Sequence, residues 1–223
     1  PAILLFFMAR YFQPVSFSFA GINEQKDRFV PTEEPTSPIG EAKGIFPGRV
    51  VWAYNPNATS WNGINGHWWN DDNTNQFVVD SMLSDALRTI SGVDEDTRAW
   101  AKIFTHFNKN HDKGETGYSP GEKIAVKLNM NTCNSNDGYR NNSVNSSPHV
   151  VFALVSQLVE HAGVAAEDII LYDNSRFLPK TIYNKLEPAY PGITYIDKNA
   201  RADWITSFTQ DENCKLAWSQ KLT

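Results

Sequence analysis

Short apolar runs alternate with longer amphipathic stretches in the second half of the chain, a pattern typical of strands separated by helices. The predicted strands lie at 124–129, 168–173 and 192–197, and the predicted helices between them lie at 147–163 and 179–186. Strands in this order must run parallel and be joined by right-handed crossovers. The pattern therefore predicts an α/β fold with an open, mostly parallel sheet and flanking helices, a Rossmann-like three-layer arrangement.

Residue types at the ends of these elements support the pattern. Ser147 is a favoured N-cap residue and Pro148 a favoured first residue of a helix. The strand at 168–173 is apolar over most of its length, which suits burial on both faces.

Two more helices are predicted upstream, at 76–90 and 94–111. Asn73 is the predicted N-cap of the first, with Gln76 completing a capping box, and Gly92 follows its end. Asp94 is the predicted cap of the second. The β-branched and aromatic run at 49–54 predicts a further strand.

The domain organisation follows from changes in composition. Residues 1–20 form a hydrophobic, signal-like segment that is too short to span a bilayer, and they are followed at 21–47 by a proline-rich linker. We expect the α/β domain to occupy 48–223 and to continue beyond the C-terminal end. The first segment favours export to the periplasm or cell envelope; the alternative is a cytoplasmic protein whose N-terminal segment packs on the domain.

Composition excludes several classes of protein. The chain has 223 residues, 41% of them hydrophobic, and a formal net charge of −5. This is too apolar for a disordered chain, and the acidic balance argues against nucleic-acid binding. We expect no integral membrane domain. Cys133 and Cys214 are too few to ligate an iron–sulfur cluster, and either a disulfide or two free thiols fits their spacing.

Candidate chemistry lies after the predicted strands, because open α/β sheets bind ligands beyond the carboxyl ends of their strands. Lys127, Asn129 and Asn131 alternate along the chain, so all three can line one wall of a site if the strand extends that far. The alternative is that Lys127 ends the strand in solvent and the asparagines form turns.

A long asparagine-rich loop follows and ends at the predicted helix start. Seven asparagines lie between Asn129 and Asn145, and the loop is longer than most connections. The free N–H groups at the helix start near Ser147 favour an anion, and Arg140 can reinforce that preference. An ordinary polar loop is the alternative. No glycine-rich phosphate motif is present, which argues against a dinucleotide site.

Asp173 is the third candidate, at the end of the second predicted strand in this region. Its carboxylate can contribute to a divalent metal site or bind a ribose hydroxyl. A structural ion pair with Lys127 or Arg176 is the alternative.

Weaker signals come from histidines and tryptophans. His67, Trp68 and Trp69 precede Asp71 and Asp72, which suggests either a metal or sugar site or a packed loop. His149 lies in the first turn of the helix that starts after Ser147.

Three segments carry a resemblance to a known family. They read KLNMN at 127–131, SSPHVVFALVSQLVEHAG at 146–163 and DIILYDNSR at 168–176, and the chain is similar over about 48–200 to the domain-of-unknown-function family 362, in its exported bacterial form. The resemblance implies an α/β domain that is sometimes joined to iron–sulfur ferredoxin modules. It matches Lys127, Asn129 and Asp173 to recurrent polar positions of the family.

Two functional hypotheses follow. In the first, the crevice beyond the strand ends binds a small anionic ligand or a divalent metal, either as a binding site or as the active site of an enzyme. Its polar lining is Lys127, Asn129, Asn131, Arg140, Ser147 and Asp173. In the second, the chain is a non-catalytic binding or redox-accessory protein. It would then contact an iron–sulfur protein partner through the aromatic loop at 61–69.

Overall fold

The computed structural model describes residues 32–34, 40–139 and 144–207. The α-helices in this part of the chain are α1 (Gln76–Ser91), α2 (Asp96–Lys109), α3 (Pro148–Ser156) and α4 (Lys180–Leu186). The strands are β1 (Ile124–Lys127), β2 (Ile169–Asp173) and β3 (Thr194–Asp197). Residues 1–20, Arg140 and Cys214 lie outside the described residues.

The three strands form one parallel sheet in the order β1-β2-β3. In its register Val126 is beside Leu171, and Leu171 is beside Tyr195. The strand–helix–strand order from β1 through α3, β2 and α4 to β3 therefore confirms the predicted α/β fold with an open parallel sheet and flanking helices. It also confirms that the carboxyl ends of all three strands share one edge of the sheet.

One face of the sheet is packed in the core. Ile169 and Leu171 of β2 have no solvent exposure, and they belong to a core that includes Val155 of α3 with Ile182 and Leu186 of α4. The alternate side chains of β2, Ile170 and Tyr172, stay half-buried. Within the described residues, β2 is thus fully covered on one face, where the sequence predicted burial on both.

Helix α1 begins and ends with clear caps. The side chain of Asn75, not Asn73, accepts a hydrogen bond from the Val78 N–H. The predicted cap was wrong because residues 71–73 form a 3-10 turn and the chain reaches α1 two residues later. Gly92 ends the helix in the left-handed conformation at φ 68°, as its position predicted.

Helix α2 begins one residue later than the predicted cap implies. Its N-cap is Glu95, and Asp94 instead forms an exposed ion pair with Arg98. Helix α3 starts at Pro148 as predicted and then widens into a π-helical turn at Gln157–His161.

The predicted strand at 49–54 was wrong. The segment belongs to neither a strand nor a helix, and Trp52 is 82% exposed. Its apolar and aromatic composition suits a strand, but strand formation also needs a neighbour with which to pair, and the sheet lies elsewhere. No helix in the described ranges is long and apolar enough to cross a bilayer.

Candidate functional site

A crevice of about 330 Å³ lies between the N-terminal end of α3, helix α4 and two loops. Because α3 and α4 follow β1 and β2, their N-terminal ends lie towards the carboxyl edge of the sheet. We call it the α3–α4 crevice, and its lining includes Trp69, Asp71, Asp137, Pro148, Lys180 and Lys185. Its place matches the rule that open α/β sheets bind ligands beyond their strand ends.

The loop after β1 reaches this crevice because Asn136 anchors it to the neighbouring loops. The Asn136 side-chain amide donates to the Leu178 carbonyl at 2.9 Å and to Asp197 Oδ2 at 2.7 Å. The Asn136 carbonyl accepts from the Lys180 backbone N–H at 2.8 Å. These contacts hold Asp137 at the start of α4, on the wall of the crevice.

Asp71 arrives from a distant part of the chain. Its Oδ1 accepts hydrogen bonds from Lys185 Nζ at 2.7 Å and from His149 Nε2 at 2.8 Å. The hydrogen bond from Lys185 holds the pKa of the Asp71 carboxyl below its usual value, with the His149 contact adding to the effect. Asp71 is therefore anionic at neutral pH, and its side chain stays 80% exposed at the mouth of the crevice.

His149 is the buried hydrogen-bond partner of Asp71. Its side chain is 1% exposed, and burial lowers its pKa, so the ring is neutral at pH 7. A neutral ring beside a carboxylate is expected to carry its proton on Nε2 and to donate it to Asp71. Nδ1 then remains a buried acceptor, and it has no hydrogen-bond partner within the described part of the chain.

Lys180 supplies a second positive charge. It is exposed at the first position of α4, and its ammonium forms no ion pair with any described carboxylate. Lys185, by contrast, is held by Asp71. The crevice is therefore lined by one cation without an ion pair, Lys180, and by two carboxylates, Asp137 and the Asp71 that Lys185 and His149 hold in place.

The predicted residues Lys127 and Asp173 lie together at the sheet edge, and they bind each other. Lys127 Nζ is 3.2 Å from Asp173 Oδ2, which also accepts from the Met130 N–H at 3.0 Å. Asp173 Oδ1 accepts from both the N–H and the hydroxyl of Ser175. Of the alternatives for Asp173, the structure shows the ion pair with Lys127.

Of the remaining predicted residues, those that the structure describes lie between β1 and α3 and do not line the crevice. Asn129 and Asn131 are exposed, and their backbone groups bond to Ser146 and Arg176 respectively. Ser147 is the N-cap of α3 but its side chain makes no capping bond. Arg140 lies outside the described residues, so its position is not part of this geometry.

Sequence reasoning missed the part that Lys180, Lys185 and Asp137 play. Lys180 could have been found, because it begins the helix that follows a strand of the sheet and so must lie near the carboxyl edge. The contact of Asp71 with His149 had no such signal, since 78 residues separate the two.

The described residues contain no group of three or more His, Cys, Asp or Glu side chains that could hold a metal ion. No family model, curated protein or solved structure matches this chain.

Proposed function

We propose that the α3–α4 crevice binds a small, hydroxyl-bearing molecule that carries one anionic group. The observation that carries this proposal is that the Lys180 ammonium, which has no ion pair, and the fixed Asp71 carboxylate line the same crevice. Its volume of about 330 Å³ lies at the lower end of the range for small-molecule pockets.

Each side of the crevice fits a different part of such a ligand. The Lys180 ammonium is a donor for a phosphate or carboxylate group, and the first turn of α3 adds the positive end of a helix dipole. The ionised Asp71 carboxylate accepts hydrogen bonds and donates none, which suits the hydroxyl groups of a ligand. Asn184 and Thr181 supply further polar contacts on the wall formed by α4.

The arrangement favours binding over acid–base catalysis. A general base works best with a pKa near the operating pH, but the pKa of Asp71 is lowered and His149 is buried beneath it. A divalent cation is less favoured than an organic anion, because Asp71 is already neutralised by Lys185.

Thermal unfolding with a small set of probes tests this proposal. We expect glucose 6-phosphate or gluconate to raise Tm by about 3 °C at roughly ten times its Kd, and glucose alone or orthophosphate alone to raise it less. Lys180→Gln and Asp71→Asn should each reduce the shift.

Lys43→Gln is the matched control, because Lys43 is an exposed lysine outside the crevice and forms no ion pair with a described carboxylate. A shift that survives in both crevice variants, or the absence of a shift with every probe, would contradict the proposal.

A second candidate function rests on exposed apolar side chains in the aromatic loop at 61–69. Ile64 is 83% exposed and Trp61 37%, whereas Trp69 is buried and Trp68 half-buried. Exposed aromatic residues are typical of protein contacts. The resemblance to family 362 makes an iron–sulfur ferredoxin the first partner to test, and Trp61→Ala with Ile64→Ser should abolish co-elution with it.

A further inference from the structure

The loops after β2 and β3 share one design, in which a buried aspartate holds the loop that follows it. Asp173 is 1% exposed and Asp197 fully buried. Asp197 Oδ1 accepts from the N–H groups of Asn199 and Ala200, as Asp173 Oδ1 does from that of Ser175. Both carboxylates are therefore occupied by the backbone.

Three basic residues lie on these two loops at the carboxyl edge. The Lys198 N–H donates to the Arg176 carbonyl at 3.2 Å, so the two loops are joined. The Arg201 guanidinium carbon lies 5.7 Å from the centre of the Phe177 ring, and Phe177 follows Arg176 in the chain. We call Arg176, Lys198 and Arg201 the basic rim.

The basic rim forms no direct ion pair with the described carboxylates. All three residues are exposed, and none forms an ion pair with a carboxylate in the described ranges. Asp203 lies two residues beyond Arg201 and is exposed, and the two residues form no ion pair with each other. Lys123, Lys127 and Lys185 differ, since each is bound to an aspartate.

We propose that the basic rim binds a ligand with two or more phosphate groups. The Arg176 Nε–H donates to the Asn131 carbonyl at 3.2 Å, which leaves its two Nη groups for phosphate oxygens. The Arg201 guanidinium can bind phosphate oxygens through paired N–H bonds, and Lys198 adds a third positive charge on the loop after β3. A single carboxylate would engage one arginine and leave the others unpaired. This site is separate from the α3–α4 crevice and does not depend on the function proposed for it.

Titration calorimetry with pyrophosphate on the full chain tests the proposal. We expect a Kd of about 1 mM or below at low salt, and weaker binding at about 0.5 M salt because screening reduces the attraction. The double variant Arg176→Gln/Arg201→Gln should weaken pyrophosphate binding by about tenfold or more. Acetate should bind more weakly than pyrophosphate.

Two controls separate this site from others. Lys43→Gln/Lys109→Gln removes the same charge from exposed positions away from the rim and should leave binding within about twofold, as should Lys180→Gln in the crevice. The proposal is overturned if pyrophosphate does not bind, or if the rim variant binds as the wild type does. Loss of binding only in Lys180→Gln would also overturn it and would assign the phosphate to the crevice.

Discussion

The two oxygens of Asp173 tie the loops after β1 and β2 together. Oδ2 bonds to the Met130 N–H and pairs with Lys127, and Oδ1 bonds to Ser175. Burial by itself raises the pKa of Asp173, but the hydrogen bonds from Ser175 and Met130 outweigh it, and the pKa lies below the usual value. This aspartate therefore stabilises the sheet edge in its charged form.

Replacing Asp173 by Asn should destabilise the fold at pH 7 by about 2–4 kcal/mol, because it leaves Lys127 and the loop donors without their charged partner. Because the folded-state pKa is lowered, the stabilisation by Asp173 is full above the unfolded pKa of about 3.9 and is lost as the pH falls through the folded value. Urea unfolding from pH 7 to pH 2 should therefore show a smaller acid-induced loss in Asp173→Asn than in the wild type.

Asp203→Asn provides the comparison, since Asp203 is exposed and should change stability by no more than about 0.5 kcal/mol. Equal stability of Asp173→Asn and the wild type at pH 7 would show that the ion pair and loop bonds contribute nothing.

At the scale of elements, the helices and strands of the α/β unit follow from local chemistry. Pro148 begins α3 and Gly92 ends α1, as their conformational preferences predicted. The segment at 49–54 has strand-like composition but forms no strand, because pairing depends on a distant neighbour. The position of the α1 cap was likewise decided by a turn at 71–73 that has no periodic signal.

Strand β2 makes the two faces of the sheet directly comparable. Leu171 is fully buried, and Ile170 beside it on the other face is half-buried. Leu171→Ala should cost about 2–5 kcal/mol of unfolding free energy, and Ile170→Ala about 1 kcal/mol, because less of its side chain is removed from water.

Denaturant unfolding of both variants measures this difference. Equal losses would contradict the one-sided packing of β2 and would show that the face bearing Ile170 is also covered.

At the scale of the whole molecule, the candidate site depends on which segments the fold brings together. The α3–α4 crevice joins residues 69–71, the loop before α3, the first residue of α3 and helix α4. The sequence correctly predicted that the three strands end at one edge of the sheet, the carboxyl edge, because parallel strands must end on the same side. The sequence predicted Lys127 and Asp173 as ligand-binding residues, but the two form an ion pair with each other.

The sequence by itself determined the order of strands and helices from β1 to β3, the direction of these strands and the edge at which their polar loops gather. These properties follow from periodicity, from capping residues and from the geometry of crossover connections, all of which act over short stretches of chain. Only the tertiary structure decided which charges are paired within the fold and which, such as Lys180 and the basic rim, form no ion pair with a described carboxylate. That outcome depends on contacts such as Asp71 with Lys185, which packing creates between residues 114 positions apart in the chain.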